Sequence, residues 1–186
     1  MNLTFVEFEE KHFETLMSWV TSEAFMMQWS GTTFSYPLTK EQLRTYQADR
    51  EARIYMVYDI ETNAPVGHIA LSQISETHER ARIGKVLVGE PAMRGRGVGR
   101  MMIEHMLNEA FQELGLHRVS LGVLGWNEAA LNAYEHMGFH SEGFRRDVVK
   151  FNGERYGAWE MSMLRPEWEE MNNERNGSDR KTLKSY

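Results

Sequence analysis

The segment Arg94-Gly95-Arg96-Gly97-Val98-Gly99-Arg100 joins an apolar run, Ile83 to Val88, to a long amphipathic stretch, and leaves little chain for a linker. A strand that passes into a helix through alternating glycines has few folds open to it. Glycine adopts dihedrals that a Cβ forbids and lets the backbone approach a ligand closely. The helix that follows offers unpaired N–H groups and the positive end of its dipole. Arginines interleave with the glycines, so the ligand expected here carries phosphate. Two common phosphate loops fail on spacing. A P-loop needs Gly-Lys-Ser/Thr, whereas Gly99 is followed by Arg100 and Met101. A dinucleotide fingerprint begun at Gly95 needs glycine where Arg100 stands. Arg-Gly repeats also occur in disordered RNA-binding tails, but those lack the apolar periodicity that flanks this segment. The segment reads as a pyrophosphate cradle.

A chain of 186 residues, 41% of them hydrophobic, is sized for one domain with a full core. Its net charge of −6 argues against nucleic acid as the main partner and suits a cationic one. The absence of cysteine excludes a disulfide framework, a thiolate zinc site and a cysteine acyl intermediate. With no basic-apolar leader and no long apolar run, no membrane partner is expected, and the cytoplasm is the expected location.

Leu3 to Phe8 alternates like an opening strand, and Phe13, Leu16, Met17 and Val20 form a helical stripe. Residues 23–37, rich in aromatics and methionine, are either a core connector or an adaptable wall for a substrate. Thr39 and Gln42 have the form of a capping box opening a helix through about Ala48. Ile54 to Asp59 and Val66 to Ser72 predict two strands joined by a turn. Arg80 to Val88 predicts a third, with Gly84 marking a bulge or a close approach. After the cradle, Ile103, Met106, Leu107, Ala110, Phe111 and Leu114 share one helix face, and Gly115 stops it. Arg118 to Leu124 predicts a strand, and Asn127 caps a short helix ending at Gly138. Phe144 to Phe151 and Arg155 to Leu164 predict a hairpin turning at Asn152-Gly153. Residues 1–166 are expected as one domain, with 167–186 a polar, frayed tail. His136 and His140 are separated by the helix-ending Gly138, so no metal site is expected. The order is that of an α/β chain with a mixed sheet, in which a right-handed crossover sets strand 118–124 parallel to strand 80–88.

Arg94, Gly97 and Gly99 satisfy Arg/Gln-x-x-Gly-x-Gly/Ala, and Asn127, Ala130, Tyr134, Gly138 and Phe139 satisfy Asn-x-x-Ala/Ser-x-x-x-Tyr-x-x-x-Gly-Phe downstream. In both motifs and in their order the chain resembles the GNAT superfamily of N-acetyltransferases, from about Leu3 to Leu164. The ending Phe144, Phe151-Asn152-Gly153 and Arg155-Tyr156 is similar to that of the ribosomal-protein and spermidine N-acetyltransferase branch. The resemblance implies a mostly antiparallel mixed sheet flanked by helices, with a splayed parallel strand pair holding acetyl-CoA as cosubstrate. It implies transfer of the acetyl group to a primary amine by direct attack in a ternary complex. By the same likeness Arg94, Gly95, Arg96, Gly97, Val98, Gly99 and Arg100 hold the phosphates. Val86, Leu87 and Val88 pair with the pantetheine amides, and a backbone N–H near the bulge faces the thioester oxygen. Asn127 and Ala130 meet the pantetheine arm, although Asn127 is equally a plain N-cap. Tyr134 returns a proton to the leaving thiolate, unless it is a core tyrosine. Trp126 floors the cofactor or simply packs. The acceptor is a small-molecule amine or a protein N-terminus, and relatives are commonly homodimers.

The proton acceptor is not legible. A primary amine must lose a proton before it attacks. Relatives carry Ala-Glu-Ile-Gly on the crossover strand, where this chain reads Ala81-Arg82-Ile83-Gly84. The substitutes within reach are Glu76, His78 and Glu79 in the preceding loop, or a water chain. Arg82 itself points to an acceptor with an anionic group near its amine. The missing carboxylate leaves open a non-catalytic acyl-CoA-binding module, and the Arg-Gly segment an RNA-associated protein.

Overall fold

The period-two runs build one sheet. In a computed structural model that describes the backbone of residues 1–182 and side chains through Glu174, the strands are β1 (Leu3–Glu7), β2 (Arg53–Asp59), β3 (Pro65–Ser75), β4 (Arg80–Val88), β5 (Arg118–Leu124), β6 (His140–Phe151) and β7 (Glu154–Leu164). They lie in the order β1-β2-β3-β4-β5-β7-β6. Every neighbouring pair is antiparallel except β4 and β5. Asn152 and Gly153 close the last hairpin with φ of 50° and 84°, the left-handed pair that a tight turn between twisted strands requires.

Both faces of the sheet are apolar, so both are covered. Along β2, Ile54 and Met56 enter one core while Tyr55 and Val57 pack in the other. The first core is closed by α1 (Phe13–Trp19), α2 (Glu23–Ser30) and α3 (Lys40–Gln47) through Phe13, Leu16, Met26 and Leu43. The second is closed chiefly by α4 (Val98–Asn108), whose Val98, Met102, Ile103, Met106 and Leu107 are buried, with α5 (Glu128–His136) beside it.

Several expectations shift. The connector 23–37 contains the helix α2, capped by Ser22 accepting from the Phe25 N–H at 3.1 Å. Thr39 caps α3 as expected, but the Gln42 side chain does not close a box on it. It clamps the preceding loop, accepting from the Ser35 N–H at 2.7 Å and donating to the Ser35 and Pro37 carbonyls. The helix after the cradle ends in a π-helical turn, Glu109–Glu113, before Gly115. That turn points Glu109 inward, where it accepts from Arg53 at 2.7 Å and Tyr55 at 2.8 Å. The expected frayed tail begins instead as part of helix α6 (Arg165–Thr182). Trp168 is buried against Phe111 and Met171 lies over Gly138, because a tryptophan and a methionine here have apolar surface to cover. Residues 183–186 lie outside the described residues. Among the described residues no helix is long and apolar enough to cross a membrane.

Candidate active site

The site begins with a pairing that stops early. β4 and β5 are matched only at Arg80–Arg118, Ala81–Val119 and Arg82–Ser120. Beyond those residues each strand keeps its outer neighbour, β3 for β4 and β7 for β5, while their facing edges part. Parted edges leave backbone donors and acceptors available to an extended ligand. The resulting cleft has a volume of about 360 Å³.

Its closed end is braced by an ion pair. The Arg82 guanidinium grips both carboxylate oxygens of Glu160 on β7, with the longer contact at 3.1 Å, and meets Ser120 Oγ at 3.4 Å. Gly122 stands on the intervening strand, where a Cβ would overlap the guanidinium, so its lack of a side chain makes the crossing possible. Arg82 is therefore matched inside the chain and is not left free for an anionic acceptor. Glu76, His78 and Glu79 are exposed on the turn before β4, at this closed end, and none of them lines the cleft.

On the β3 side β4 carries a bulge. Ala70 is paired with Gly84 and His68 with Leu87, so Lys85 and Val86 together face Ile69. The left-handed residue is Lys85, with φ of 54°, and not the neighbouring Gly84 expected to mark the irregularity. Gly84 pairs with Ala70 at the edge of the bulge and lines the cleft, with no atom of the chain within 4 Å of where a Cβ would stand. The Lys85 carbonyl accepts a hydrogen bond from Nδ1 of the buried His68 at 3.1 Å. Burial, followed by the nearby Arg82 charge, lowers the Lys85 pKa. Val86 faces the opening, whereas the Leu87 side chain turns into the core beneath α1–α3.

The cradle lies beyond the open end. Gly95 and Gly97 take φ of 72° and 82°, and neither has an atom within 4 Å of where a Cβ would stand. Gly97 is the N-cap of α4, which has no side-chain cap, so its first-turn N–H groups face outward for an anion. Arg94 is folded back, donating from Nε to the Val88 carbonyl at 3.1 Å and lying over the Phe25 ring. Arg100 pairs with Glu104 at 3.0 Å and Arg96 rests on Met93. Between α4 and α5 a second hollow of about 320 Å³ is walled by Val86, Gly99, Ile103, Ala130 and Tyr134. A glycine cradle, uncapped amides and an apolar trough leading to the parted strands fit a phosphorylated ligand with a long, amide-bearing arm.

From α5, Asn127 caps the helix by accepting from the Ala130 N–H at 3.3 Å and also lines the cleft, so the two expected uses share one residue. Tyr134 borders both hollows. Its ring packs on Phe139, its hydroxyl meets no hydrogen-bond partner among the described residues, and burial pushes its pKa up to about 12. Trp126 stands edge-on to Tyr156 at 4.3 Å, outside the cleft. The opposite wall is Gln28 to Thr33, at the end of α2. The aromatic connector thus serves both uses: Met26 and Phe34 enter the core, and Trp29 lines the cleft. Sequence reasoning missed Lys85, Gly122 and Glu160; of these only Gly122, a glycine inside a strand, left a local signal.

Residues 23–139 match the family model for acetyltransferase (GNAT) proteins, well over half of the chain. The chain belongs to the GNAT acetyltransferase family. Membership makes acetyl transfer its class of reaction, and the splayed strands, cradle and α5 all fall within the matched region or on its border. A Bacillus subtilis protein named "Probable N-acetyltransferase YjcK" is 34% identical over 110 residues, which span 56% of this chain and 58% of that protein. The spermidine N(1)-acetyltransferase of Vibrio cholerae is 27% identical over 134 residues, 72% of this chain and 76% of that protein. Among solved structures, the spermidine N-acetyltransferase of Vibrio cholerae in complex with CoA and spermine superposes with a TM-score of 0.77, covering 89% of this chain and 97% of that one at 22% identity. At that identity the likeness speaks for the GNAT fold alone.

Proposed function

We propose that this GNAT chain transfers the acetyl group of acetyl-CoA to a primary amine by direct attack within a ternary complex. The observation that carries this reading is the parted β4–β5 pair, with a phosphate cradle at its mouth and the unpartnered Tyr134 hydroxyl at its side. The phosphates would rest on residues 94–100, and the pantetheine amides would take the free edge of β4 at Val86 to Val88. Alignment of the amine against the thioester supplies most of the rate, since no cysteine exists to carry the acetyl group.

One relative is named for spermidine, but among the described residues no carboxylate lines this cleft, and Glu160 beside it is bonded to Arg82. A polycation gains little from such a wall. An acceptor with one reactive amine on a neutral or anionic body, such as a small-molecule amine or a protein N-terminus, suits it better.

Calorimetric titration with acetyl-CoA tests the reading, with adenosine 3′,5′-bisphosphate as the partial ligand. Binding at a single site, weakened when the acyl-pantetheine arm is missing, is expected. Gly97→Glu should abolish it, because the new carboxylate sits in the cradle on a backbone that disfavours any side chain. Unchanged binding by that variant would remove the cradle from the site. Turnover of any amine in a thiol-release assay separates an enzyme from a binding module.

A further inference from the structure

Acetylation of an amine that arrives as ammonium takes two protons off the nitrogen, one before attack and one as the tetrahedral adduct collapses. Tyr134 is placed to pass the second to the leaving sulfur. Nothing so far accounts for the first. Among the described residues that line the cleft the ionisable side chains are Arg82, Lys85 and Tyr134, and none is Asp, Glu or His. Arg82 is engaged by Glu160, and a guanidinium is not a proton acceptor. Tyr134 stays protonated up to about pH 12. Lys85 is the group that remains.

Its setting is unusual for a lysine. The side chain is half-buried, lines the cleft, and forms no ion pair or hydrogen bond with any described residue. Its backbone is locked at a left-handed bulge by the pairing of β3 and by the His68 bond to its carbonyl. A half-buried ammonium without a counter-charge is costly, whereas a neutral amine there is not. The groups around it favour the neutral form. Arg82 on the same strand is cationic and holds the Glu160 carboxylate of β7 to itself, Tyr134 from α5 is uncharged, and the walls at Gln28–Thr33 and Leu121–Leu124 carry no charge. The direction in which burial and Arg82 move Lys85 agrees.

Resting on the acetyl-transfer reading of this cleft, we propose that Lys85 is the catalytic base. Its neutral Nζ takes a proton from the acceptor ammonium, and the freed nitrogen lone pair forms the C–N bond at the thioester carbonyl. The C–S bond then breaks with its electrons passing to sulfur. The Tyr134 hydroxyl protonates that thiolate and regains a proton from the new amide nitrogen, and the Lys85 ammonium returns its proton to solvent. One proton is released per turnover, as the overall reaction requires.

The test is the pH dependence of kcat/KM for the full chain and for Lys85→Met and Lys85→Arg, with acetyl-CoA binding by each followed calorimetrically. Lys85→Met should bind acetyl-CoA normally and lose roughly 100-fold or more in kcat/KM near neutral pH. Its remaining rate should rise with pH as the acceptor deprotonates by itself. Trimethylamine, which accepts protons but forms no stable amide, should restore part of the loss. Lys85→Arg should be as impaired as Lys85→Met, because a guanidinium keeps the charge but not the basicity. Full activity in Lys85→Arg would mean that the position serves as a cation, and would overturn the proposal. So would an unchanged pH profile in Lys85→Met. If the unaltered chain fails to bind acetyl-CoA, the proposed function falls, and the base with it.

Discussion

At the scale of single residues the cleft is governed by polar groups whose expected partners are missing. A tyrosine hydroxyl that is largely desolvated and unbonded holds its proton tightly, and Tyr134 accordingly sits at about 12. It is therefore present as the neutral hydroxyl, which can pass a proton to sulfur only while taking one from the amide nitrogen, and is no base for the incoming ammonium. Tyr134→Phe removes the donor and keeps the ring on Phe139, so kcat should fall by roughly 100-fold while affinity for acetyl-CoA stays near normal. Steady-state kinetics beside calorimetry would decide it, and an unaltered kcat would return Tyr134 to a packing role. Tyr134, Asn127 and the cradle glycines were legible because chemistry and helix spacing confine them to short motifs. Lys85 was not. Nothing around a lysine in sequence marks it as half-buried and unpaired; that follows from a bulge whose register is set by β3.

At the scale of elements, the opening of β4 from β5 depends on what holds them together below it. Arg82 and Glu160 stand 78 positions apart in sequence and meet across β5 over Gly122. No local pattern reveals such a pair, which is why the sequence suggested an arginine awaiting an anionic substrate. Both side chains are mostly shielded, at 27% and 22% exposure, so the bond is stronger than a surface pair. Glu160→Gln should cost about 2 kcal/mol in urea denaturation, since Arg82 loses a charged acceptor in a confined place. Replacing both residues with leucine should cost less than removing the carboxylate alone, because no orphaned charge remains. Equal losses would mean that the pair does not brace the sheet. The other elements show the same division. Strands with clean alternation and the Asn152-Gly153 hairpin could be read directly, whereas the π-helical turn could not, because Glu109 looks like a surface residue until Arg53 and Tyr55 arrive from the sheet.

At the scale of the molecule, the sheet separates two cores, and the one beneath α1–α3 encloses histidine. His68 is fully buried among Phe8, Trp29 and Tyr46, donating from Nδ1 to Lys85 and leaving Nε2 without a partner. Adding a proton to Nε2 would place a charge there with nothing to receive it, and burial lowers the pKa from 6.5 to about 4. His12, in the same layer, accepts the Glu9 N–H through Nδ1 and is lowered in the same direction, again mainly by burial. Below 6.5 the unfolded chain binds protons that the folded chain refuses, so stability must fall as pH drops from 6.5 towards 4. For His68 alone the loss is on the order of 3 kcal/mol across that window. The lowered carboxylates act elsewhere: Glu142, held down by Arg118, loses its contribution only as pH falls through the carboxylate range. Urea midpoints at pH 7.5, 6 and 5 should therefore decline before those carboxylates titrate. His68→Asn keeps a donor for the Lys85 carbonyl and removes the titration, so it should flatten most of that decline at some cost in packing. A decline of the same size in the variant would assign the acid sensitivity to His12 or to His105 of α4, which burial also lowers. A histidine bonded to the bulge that carries Lys85 would then matter for position alone.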